Sequence, residues 1–289
     1  MAKVLITGIA GGFGKPTALA LMERGHEVAG SVRSREGRNA EAVGELETAG
    51  ARIVEMDVTD TTSTERGLSA AIAALGGLDV LFNNAGIGSY GIQELMSPED
   101  MGRVFDVNVT GVQRVMRAAL PHMRAQGRGT VLYTSSLIGR IATPFYGTYS
   151  ASKWALEAIA ECYRTELSGF GIESCIIEPG AMPTAFFDGM VAANDPARAA
   201  GYGEFAQVPA MAAAGLAQML KATPVQRPER IAEAVVALLD MPSGQKPFRT
   251  VVDHTGVGHH IERYNDVLHE VTRTVLTNFG IERMLDLNA

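Results

Sequence analysis

The sequence has little of what defines several specialised protein classes. Only two cysteines, Cys162 and Cys175, occur among its 289 residues, and neither lies at a metal-ligand or Cys-x-x-Cys spacing. This argues against a disulfide scaffold or a structural zinc site, and we expect both to be small, buried apolar side chains. No apolar run approaches the roughly 18 residues of a membrane span. Because the first strand-like run begins at Val4, we expect no signal peptide and a cytoplasmic protein.

Positive charge is also scarce. The formal net charge is −7 and the basic residues are scattered singly, which argues against a nucleic-acid partner. Three histidines, His254, His259 and His260, lie near the end of the chain. Adjacent histidines on a loop seldom converge on a metal without a carboxylate or a third well-placed ligand, so we expect no metal. Hydrophobic residues make up 46% and charged residues 20%, as in an ordinary globular protein. We expect one domain over residues 1–289.

Short β-branched runs alternate with longer helical stretches from residue 3 to about 180. This alternation is typical of parallel βαβ units and predicts an α/β fold, a Rossmann-like doubly wound parallel sheet of about seven strands. Helices are predicted from about Gly14 to Arg24 and from Glu229 to Leu239. The predicted strands are Val4–Thr7, Glu27–Val32, Arg52–Met56, Val80–Asn83, Thr130–Thr134, Ser174–Ile177 and Thr250–Asp253.

The alternation stops beyond Pro179. Residues 181–226 are rich in Gly, Ala, Pro and Met, contain several aromatic residues, and are predicted to form a helical substrate lid without strands; an ordinary surface excursion is the alternative. Residues 254–289 are predicted to form a helical extension. Its apolar face consists of Ile261, Tyr264, Leu268, Val271 and Val275, and Gly280 ends it. We expect this face to pack on its own subunit, with a dimer helix as the alternative.

A glycine-rich turn follows the first predicted strand and precedes a helix. Its order, T-G-x-x-x-G-x-G, is carried by Thr7, Gly8, Gly12 and Gly14, with Phe13 inside it. Glycines permit a tight turn and close approach of the backbone to a pyrophosphate, while the helix N-terminus offers free N–H groups. The turn therefore predicts a dinucleotide site, although glycines also serve such turns without a ligand.

A second pattern pairs a phenol with an ammonium group. Tyr149 and Lys153 are four residues apart on a predicted helix, so they share one face. A nearby ammonium stabilises a phenolate and lowers the pKa of the tyrosine, which creates a proton donor or acceptor for a carbonyl and alcohol pair. Ser136, at the end of the fifth predicted strand, could reach the same substrate oxygen. Its neighbour Ser135 should point to the opposite face of the sheet.

These motifs, in this order, resemble the short-chain dehydrogenase/reductase family, and its hydroxysteroid and retinol dehydrogenase-like members in particular. The resemblance implies that Ser136, Tyr149 and Lys153 act together, and that Asn108 links the lysine to solvent through water. It also implies further cofactor contacts. These are Asp57 and Val58 after the third strand, Asn84, Ala85 and Gly86 after the fourth, and Pro179, Gly180 and Thr184 after the sixth; Tyr149 and Lys153 contact the cofactor as well.

The end of the second strand bears on which dinucleotide binds. An NAD enzyme would carry an acidic residue there for the ribose hydroxyls, but this chain has Val32, followed by Arg33. Because a guanidinium suits a 2′-phosphate, we expect NADP, with NAD as the alternative. Arg33 could instead be a solvated loop residue, and Gly11 lacks the basic residue often found before the second glycine.

We therefore expect an NADP(H)-dependent enzyme that interconverts a carbonyl and a secondary alcohol by hydride transfer, with Tyr149 as general acid and base. The aromatic and Met content of residues 181–226 favours a small-to-medium hydrophobic or aromatic substrate. The alternatives are an NAD-dependent catabolic alcohol dehydrogenase of the same family and a non-catalytic NADP-binding redox sensor. A sugar-nucleotide epimerase would have a different glycine spacing, and a halohydrin-cleaving relative would lack the lysine. The resemblance leaves a homodimer or a homotetramer open.

Overall fold

The computed structural model describes residues 1–287 and is built around two parallel sheets. Seven strands form the large sheet and two short strands form the other. In chain order the strands are β1 (Lys3–Thr7), β2 (Glu27–Val32), β3 (Arg52–Glu55), β4 (Val80–Asn83), β5 (Ser89–Tyr90), β6 (Gly129–Thr134), β7 (Ile172–Pro179), β8 (Val191–Ala192) and β9 (Arg249–Val252).

Ten α-helices connect or follow these strands in the described part of the chain. They are α1 (Gly14–Glu23), α2 (Ala40–Thr48), α3 (Thr61–Leu75), α4 (Pro98–Phe105), α5 (Gly111–Gln126), α6 (Gly147–Ser168), α7 (Pro196–Ala199), α8 (Val208–Ala222), α9 (Glu229–Asp240) and α10 (Gly258–Asn278). A π-helical turn at Asp106–Thr110 joins α4 to α5. None of the helices in residues 1–287 is both long enough and apolar enough to cross a membrane.

The large sheet has the order β3-β2-β1-β4-β6-β7-β9, and every neighbouring pair is parallel. Apolar residues of α3, α5 and α6 cover one face, and apolar residues of α1, α2 and α9 cover the other. Strands buried on both faces must be apolar on both, which explains the continuous β-branched runs. Since the strands are parallel, their carboxyl ends lie along one edge, and the sequence-predicted site residues follow those ends.

The predicted doubly wound sheet and its seven strands are confirmed, with small differences at the strand ends. The sixth predicted strand, Ser174–Ile177, extends over Ile172–Pro179 as β7. The helices predicted near residues 14 and 229 are α1 and α9. Gly25 adopts a φ of +80°, the left-handed conformation that ends the α1 region and that glycine tolerates without steric cost.

The lid prediction is correct in being mostly helical but wrong in excluding strands. Val191 and Ala192 form β8, which pairs with β5 in the register Ser89 with Val191 and Tyr90 with Ala192. A two-residue strand is too short to show an alternation pattern, so it cannot be predicted from the sequence. Most of α8 is exposed, and its buried residue is Leu220.

Two expectations about burial are wrong. Cys162 on α6 is exposed, whereas Cys175 on β7 is buried as expected. Of the apolar residues predicted to pack α10 on its own subunit, Ile261 is 3% exposed, but Tyr264, Val271 and Val275 are 43%, 53% and 42% exposed. The side of α10 that meets β7 and α6 instead carries polar residues such as Asn265, which contacts β7, and Thr272, which contacts α6. The last two residues of the predicted extension, 288 and 289, lie outside the described residues.

Candidate active site

The glycine turn between β1 and α1 is shaped by close backbone contacts. Gly8 has a φ of +64°, a conformation that side chains rarely adopt. A Cβ atom at Gly14 would lie 2.6 Å from the Gly8 carbonyl oxygen, so only glycine fits there. The first turn of α1 has no side-chain cap at Phe13 and contains no acidic residue. Lys15 and Thr17 donate to backbone carbonyls of the turn, which leaves the N–H groups of Gly12, Phe13 and Gly14 and the positive dipole end for a phosphate group.

Thr7 and Asn84 tie this turn to the end of β4. The Thr7 hydroxyl accepts hydrogen bonds of 2.9 Å from the backbone N–H groups of Asn84 and Ala85. The Asn84 amide nitrogen donates to the carbonyl oxygens of Thr7 and Gly8, at 3.0 and 3.2 Å. Both side chains thus hold the turn in place, which is a structural role alongside any contact with a cofactor.

Ser136, Tyr149 and Lys153 meet at the carboxyl end of β6. The Ser136 side chain lies close enough to the Tyr149 phenol to act on its pKa. The Lys153 ammonium lies 5.6 Å from the centre of the Tyr149 ring and donates a 2.6 Å hydrogen bond to the Thr134 carbonyl oxygen. The Ser135 hydroxyl points the other way and donates to Glu157. This is the separation of neighbouring strand side chains that the sequence argument used to choose Ser136.

Burial acts on both titratable groups of this cluster. Tyr149 is 9% and Lys153 is 4% exposed. Burial raises the pKa of Tyr149 well above its ordinary value, with contact to Ser136 acting in the opposite direction. Burial lowers the pKa of Lys153 to about 8, and the charge of Glu157 partly offsets this. The tyrosine pKa is therefore shifted opposite to the lowering expected from Lys153 alone, because loss of solvent around the phenol is the larger effect.

Asn108 lies in the π-helical turn between α4 and α5 and is almost fully buried. Its amide oxygen accepts from the Ile87 N–H, and its amide nitrogen donates to the Ile87 carbonyl and to Ser152. A Cβ at Gly86 would lie 3.3 Å from the Asn108 amide oxygen and 3.7 Å from the Lys153 ammonium. Gly86 thus lies between the asparagine and the lysine, where a side chain would crowd the Asn108 amide. π-Turns of this kind are often found at functional sites.

The segment after β7 lies across the same edge of the sheet. The Pro179 carbonyl oxygen accepts a long, 3.4 Å hydrogen bond from the Ser136 hydroxyl. A side chain at Gly180 would overlap Asp253 and Gln226, so glycine is required there. Thr184 reaches the glycine turn, where a Cβ at Gly12 would lie 2.6 Å from the Thr184 side chain. The segment therefore bridges the turn and the Ser136–Tyr149–Lys153 cluster.

The residues predicted to contact the adenosine end differ in their surroundings. Arg33 is exposed at the end of β2, whereas the nearby Arg35 is paired with Glu47 and donates to the Ile53 carbonyl. The Asp57 carboxylate is already used by the backbone and hydroxyl of Thr59. Val58 is buried in the core. Asp57 and Val58 thus serve the loop and the core here, while Arg33 projects freely.

Aromatic side chains form a wall beside Tyr149. Phe186 lies 5.5 Å from Tyr149, measured between ring centres. Tyr90, next along the wall, lies 4.7 Å from Tyr146 and 6.1 Å from Phe145. The Tyr90 hydroxyl also donates to a backbone carbonyl of α8, which fastens the lid to the wall. Phe186 belongs to the predicted lid, whereas Tyr90, Phe145 and Tyr146 lie outside it and were not anticipated from the sequence.

A buried group of charged residues behind Lys153 was missed by the sequence analysis. It consists of Arg140, Glu157, Glu178 and Arg249. The four-residue spacing from Lys153 to Glu157 could have found one member, since it is the spacing that pairs Tyr149 with Lys153. Within residues 1–287, no three His, Cys, Asp or Glu side chains converge in a way that could hold a metal ion.

The glycine turn, the free helix N-terminus and the open edge of the sheet fit a dinucleotide, and known proteins with such sites match the chain. A family model described as short chain dehydrogenase matches residues 2–195. The chain is 38% identical over 185 residues to a 3-ketodihydrosphingosine reductase of Bacteroides thetaiotaomicron, covering 64% of this chain and 65% of that protein. It is 36% identical over 200 residues to mouse 17-beta-hydroxysteroid dehydrogenase type 1, covering 65% of this chain and 56% of that protein.

Solved structures extend the likeness along the chain. A short-chain dehydrogenase from Streptomyces avermitilis is 30% identical, with a TM-score of 0.75 and coverage of 97% of this chain and 99% of that one. An alcohol dehydrogenase from Thermococcus sibiricus, complexed with 5-hydroxy-NADP, is 26% identical, with a TM-score of 0.67 over 86% and 94% of the two chains. A short chain dehydrogenase/reductase from Burkholderia phymatum, in complex with NAD, is 25% identical, with a TM-score of 0.75 over 92% and 94%.

The similarity to both curated relatives spans less than two thirds of their length. The family model covers β1 to β8, which include the glycine turn, Asn108 and the cluster of Ser136, Tyr149 and Lys153. The chain belongs to the short-chain dehydrogenase/reductase family of oxidoreductases.

Proposed function

We propose that this protein is an NADP(H)-dependent oxidoreductase that interconverts a carbonyl and a secondary alcohol on a small-to-medium hydrophobic or aromatic molecule. The observation that carries the proposal is the meeting of Ser136, Tyr149 and Lys153 beside the glycine turn, at the open edge of the sheet. A sensor that only bound a dinucleotide would need the turn but not this cluster.

The residues divide the chemistry among them. A bound nicotinamide supplies or accepts the hydride. Tyr149 would donate a proton to the carbonyl oxygen in reduction and remove it from the alcohol in oxidation. Ser136, in contact with Tyr149, would hydrogen-bond the same oxygen as charge develops on it. Lys153 would hold the nicotinamide ribose, and its positive charge would favour the phenolate over the buried phenol.

Arg33 supports NADP over NAD. It is an exposed cation at the end of β2, where an acidic residue would favour NAD. Arg35 is held by Glu47 and the Ile53 carbonyl, so Arg33 is better placed to meet a 2′-phosphate. Related structures contain either NAD or an NADP derivative, so the family as a whole favours neither.

The aromatic wall supports a hydrophobic substrate. Phe186 lies against Tyr149, and Tyr90, Phe145 and Tyr146 continue the apolar surface away from it. Burial of an apolar molecule against such rings provides most of its binding free energy. Two relatives are named for a ketodihydrosphingosine and a hydroxysteroid. This agrees with a hydrophobic ketone or secondary alcohol as the class of substrate.

The experiment combines cofactor titration with turnover. Fluorescence titration with NADPH and NADH measures both affinities, and a panel of hydrophobic ketones, aldehydes and alcohols is followed by nicotinamide absorbance. Tyr149→Phe should lower turnover by about 10²–10⁴-fold, the usual contribution of a general acid, with little change in cofactor affinity. Tyr146→Phe is the matched control, because it removes a hydroxyl from the same wall without touching the Ser136–Lys153 cluster, and it should retain most activity.

A second variant tests the preference for NADP over NAD. Arg33→Ala should weaken NADPH binding about 10–100-fold, the range of one charge-assisted contact, and leave NADH unchanged. Arg35→Ala is the control and should affect both cofactors alike. Equal turnover in Tyr149→Phe and wild type would contradict the proposed chemistry, and tighter binding of NADH than NADPH would contradict the role of Arg33.

A further inference from the structure

A buried ionic cluster lies directly behind the reacting residues. Glu157 on α6 and Glu178 on β7 are both 0% exposed. Two guanidinium groups, of Arg140 and Arg249, lie between them and are almost as deeply buried. Charged groups are buried this deeply only when they are paired with opposite charges. Even then, replacing the pair with apolar residues often leaves the stability of the fold unchanged or raises it. Stability is therefore a poor reason for this cluster to exist.

Glu157 is the centre of the cluster. Its carboxylate forms an ion pair with Arg140 at 2.7 Å and accepts hydrogen bonds from Arg249 at 3.0 Å and from the Ser135 hydroxyl at 2.6 Å. These contacts come from the turn after β6, from β9 and from the end of β6. Three elements thus fix the position of one carboxylate on α6.

Lys153 lies one helical turn before Glu157 on the same face of α6, about 6 Å along the helix axis. The two side chains both border Gly139. A Cβ there would lie 3.2 Å from a Glu157 carboxylate oxygen and 3.4 Å from the Lys153 Cβ. The Lys153 side chain and the Glu157 carboxylate therefore leave α6 beside the same glycine, and both are buried. Charges separated in this way act on one another with little screening.

We propose that Glu157 is a positioning residue for the reaction: held by Arg140, Arg249 and Ser135, its carboxylate keeps the buried Lys153 side chain in its charged form beside Tyr149. This rests on the proposed function for its catalytic meaning. The effect on the lysine itself does not depend on any substrate.

The elements packed around Lys153 and Glu157 contribute further polar and titratable groups. Glu178 lies on β7, Glu161 lies one turn further along α6, and α10 adds Asn265, His269 and Thr272 around the two glutamates. Burial lowers the pKa of Lys153, and Glu157 is the one charge that acts to raise it. Burial and the nearby Glu157 raise the pKa of Glu178 to about 8, so the fold favours the protonated form of Glu178.

The sign of the expected effect follows from electrostatics. Removing a negative charge lowers the pKa of every neighbouring titratable group. Glu157→Gln should therefore lower the titration midpoint of Lys153, by on the order of one pH unit. Arg140→Gln removes a positive charge from the same cluster and should move the midpoint upward. A merely structural role for Glu157 predicts no such opposite shifts.

The test is a direct titration of Lys153 that needs no substrate. The full-length protein is labelled with carbon-13 at the ε carbon of lysine and followed by NMR across pH. The chain has only five lysines, Lys3, Lys15, Lys153, Lys221 and Lys246, so the Lys153 signal is assigned by its loss in Lys153→Arg.

The variants are made in a Glu178→Gln background as well, because ionisation of Glu178 could replace the lost charge. Glu161→Gln is the matched control. It also removes a carboxylate bonded to Arg249, but it lies about 12 Å along α6 from Lys153 and is partly exposed. It should shift the lysine midpoint by less than half as much as Glu157→Gln. Glu157→Asp keeps the charge and should retain most of the wild-type midpoint.

The proposal is overturned if Glu157→Gln leaves the titration midpoint of Lys153 unchanged. It is also overturned if Glu157→Gln and Glu161→Gln shift that midpoint equally. If Glu157→Gln does not fold, an unchanged midpoint in Arg140→Gln overturns it instead. A shifted Lys153 in a protein that turns over none of the tested substrates would leave the electrostatic role standing and count against the proposed function. Where turnover is found, the pH profiles of both directions should move to lower pH in Glu157→Gln.

Discussion

The residues before and after position 180 are held in different ways. Up to Pro179 the chain forms six of the seven strands of the large sheet, and the glycine turn is fixed by contacts so close that a single Cβ would clash. After it, α8 buries one residue and α10 buries three, and both present apolar side chains to solvent. The first region fixes the reacting groups, whereas α8 and α10 of the second region bury few residues. We therefore expect substitutions in the first region to have larger effects.

The largest effect is expected at the glycine turn. Gly14→Ala would place a Cβ 2.6 Å from the Gly8 carbonyl oxygen, so the turn must shift. We expect a loss of roughly 2 kcal/mol or more in the free energy of unfolding, together with loss of dinucleotide binding. Chemical denaturation measures the free energy of unfolding, and fluorescence titration measures dinucleotide binding. Gly44→Ala on α2 is the control, because nothing lies within 4 Å of its added methyl group and a helix gains up to about 1 kcal/mol from the change.

The second prediction separates the two sides of α10. Ile261→Ala, at a buried position, should cost about 2–4 kcal/mol of unfolding free energy, whereas Val271→Ala, at an exposed one, should stay within about 0.5 kcal/mol. Denaturant melts of both variants at equal protein concentration make the comparison. Losses of equal size would show that the exposed side is covered by another chain in solution, and the contrast between the two regions would then fail.

The third prediction concerns a contact between the regions. Asn265 of α10 donates a 2.6 Å hydrogen bond to Glu178 of β7. The pKa of Glu178 is raised from 4.5 to about 8, so folding favours its protonated form. Stability from this group is fully present below about pH 4.5 and is lost as the pH rises towards 8. Glu178→Gln, which mimics the protonated form, should match wild type near pH 5 and be more stable by on the order of 1 kcal/mol near pH 8.

Melts of both proteins from pH 5 to 9 measure the difference. Glu166→Gln, at an exposed position on α6, controls for the loss of a carboxylate and should give a difference that does not grow with pH. A stability difference between Glu178→Gln and wild type that stays constant over this range would show that Glu178 is ionised in the fold throughout.

Sequence patterns predicted the first region well for physical reasons. Strands buried on both faces need continuous β-branched runs, and the glycine turn and the Tyr149–Lys153 pair depend on residues close together in the chain. The paired strands β5 and β8 could not be predicted, because each has two residues and they lie about a hundred positions apart. The same holds for Arg140, Glu157, Glu178 and Arg249, which four separate elements bring together. Cys162 is exposed because it lies on the outer side of α6, and composition alone does not show which side of a helix faces outward.

The short pairing of β5 with β8 offers a way to measure movement of the lid. The Val191 N–H donates to the Gly88 carbonyl and the Ala193 N–H to the Tyr90 carbonyl, each at 2.9 Å. Swinging the lid away from the wall must break these two bonds together, so both amide hydrogens should exchange with deuterium at one common rate. That rate would measure how often β8 separates from β5, independently of any reaction at Tyr149. If a tightly bound ligand slows the exchange of both amide hydrogens equally, the lid closes over that ligand as one rigid segment.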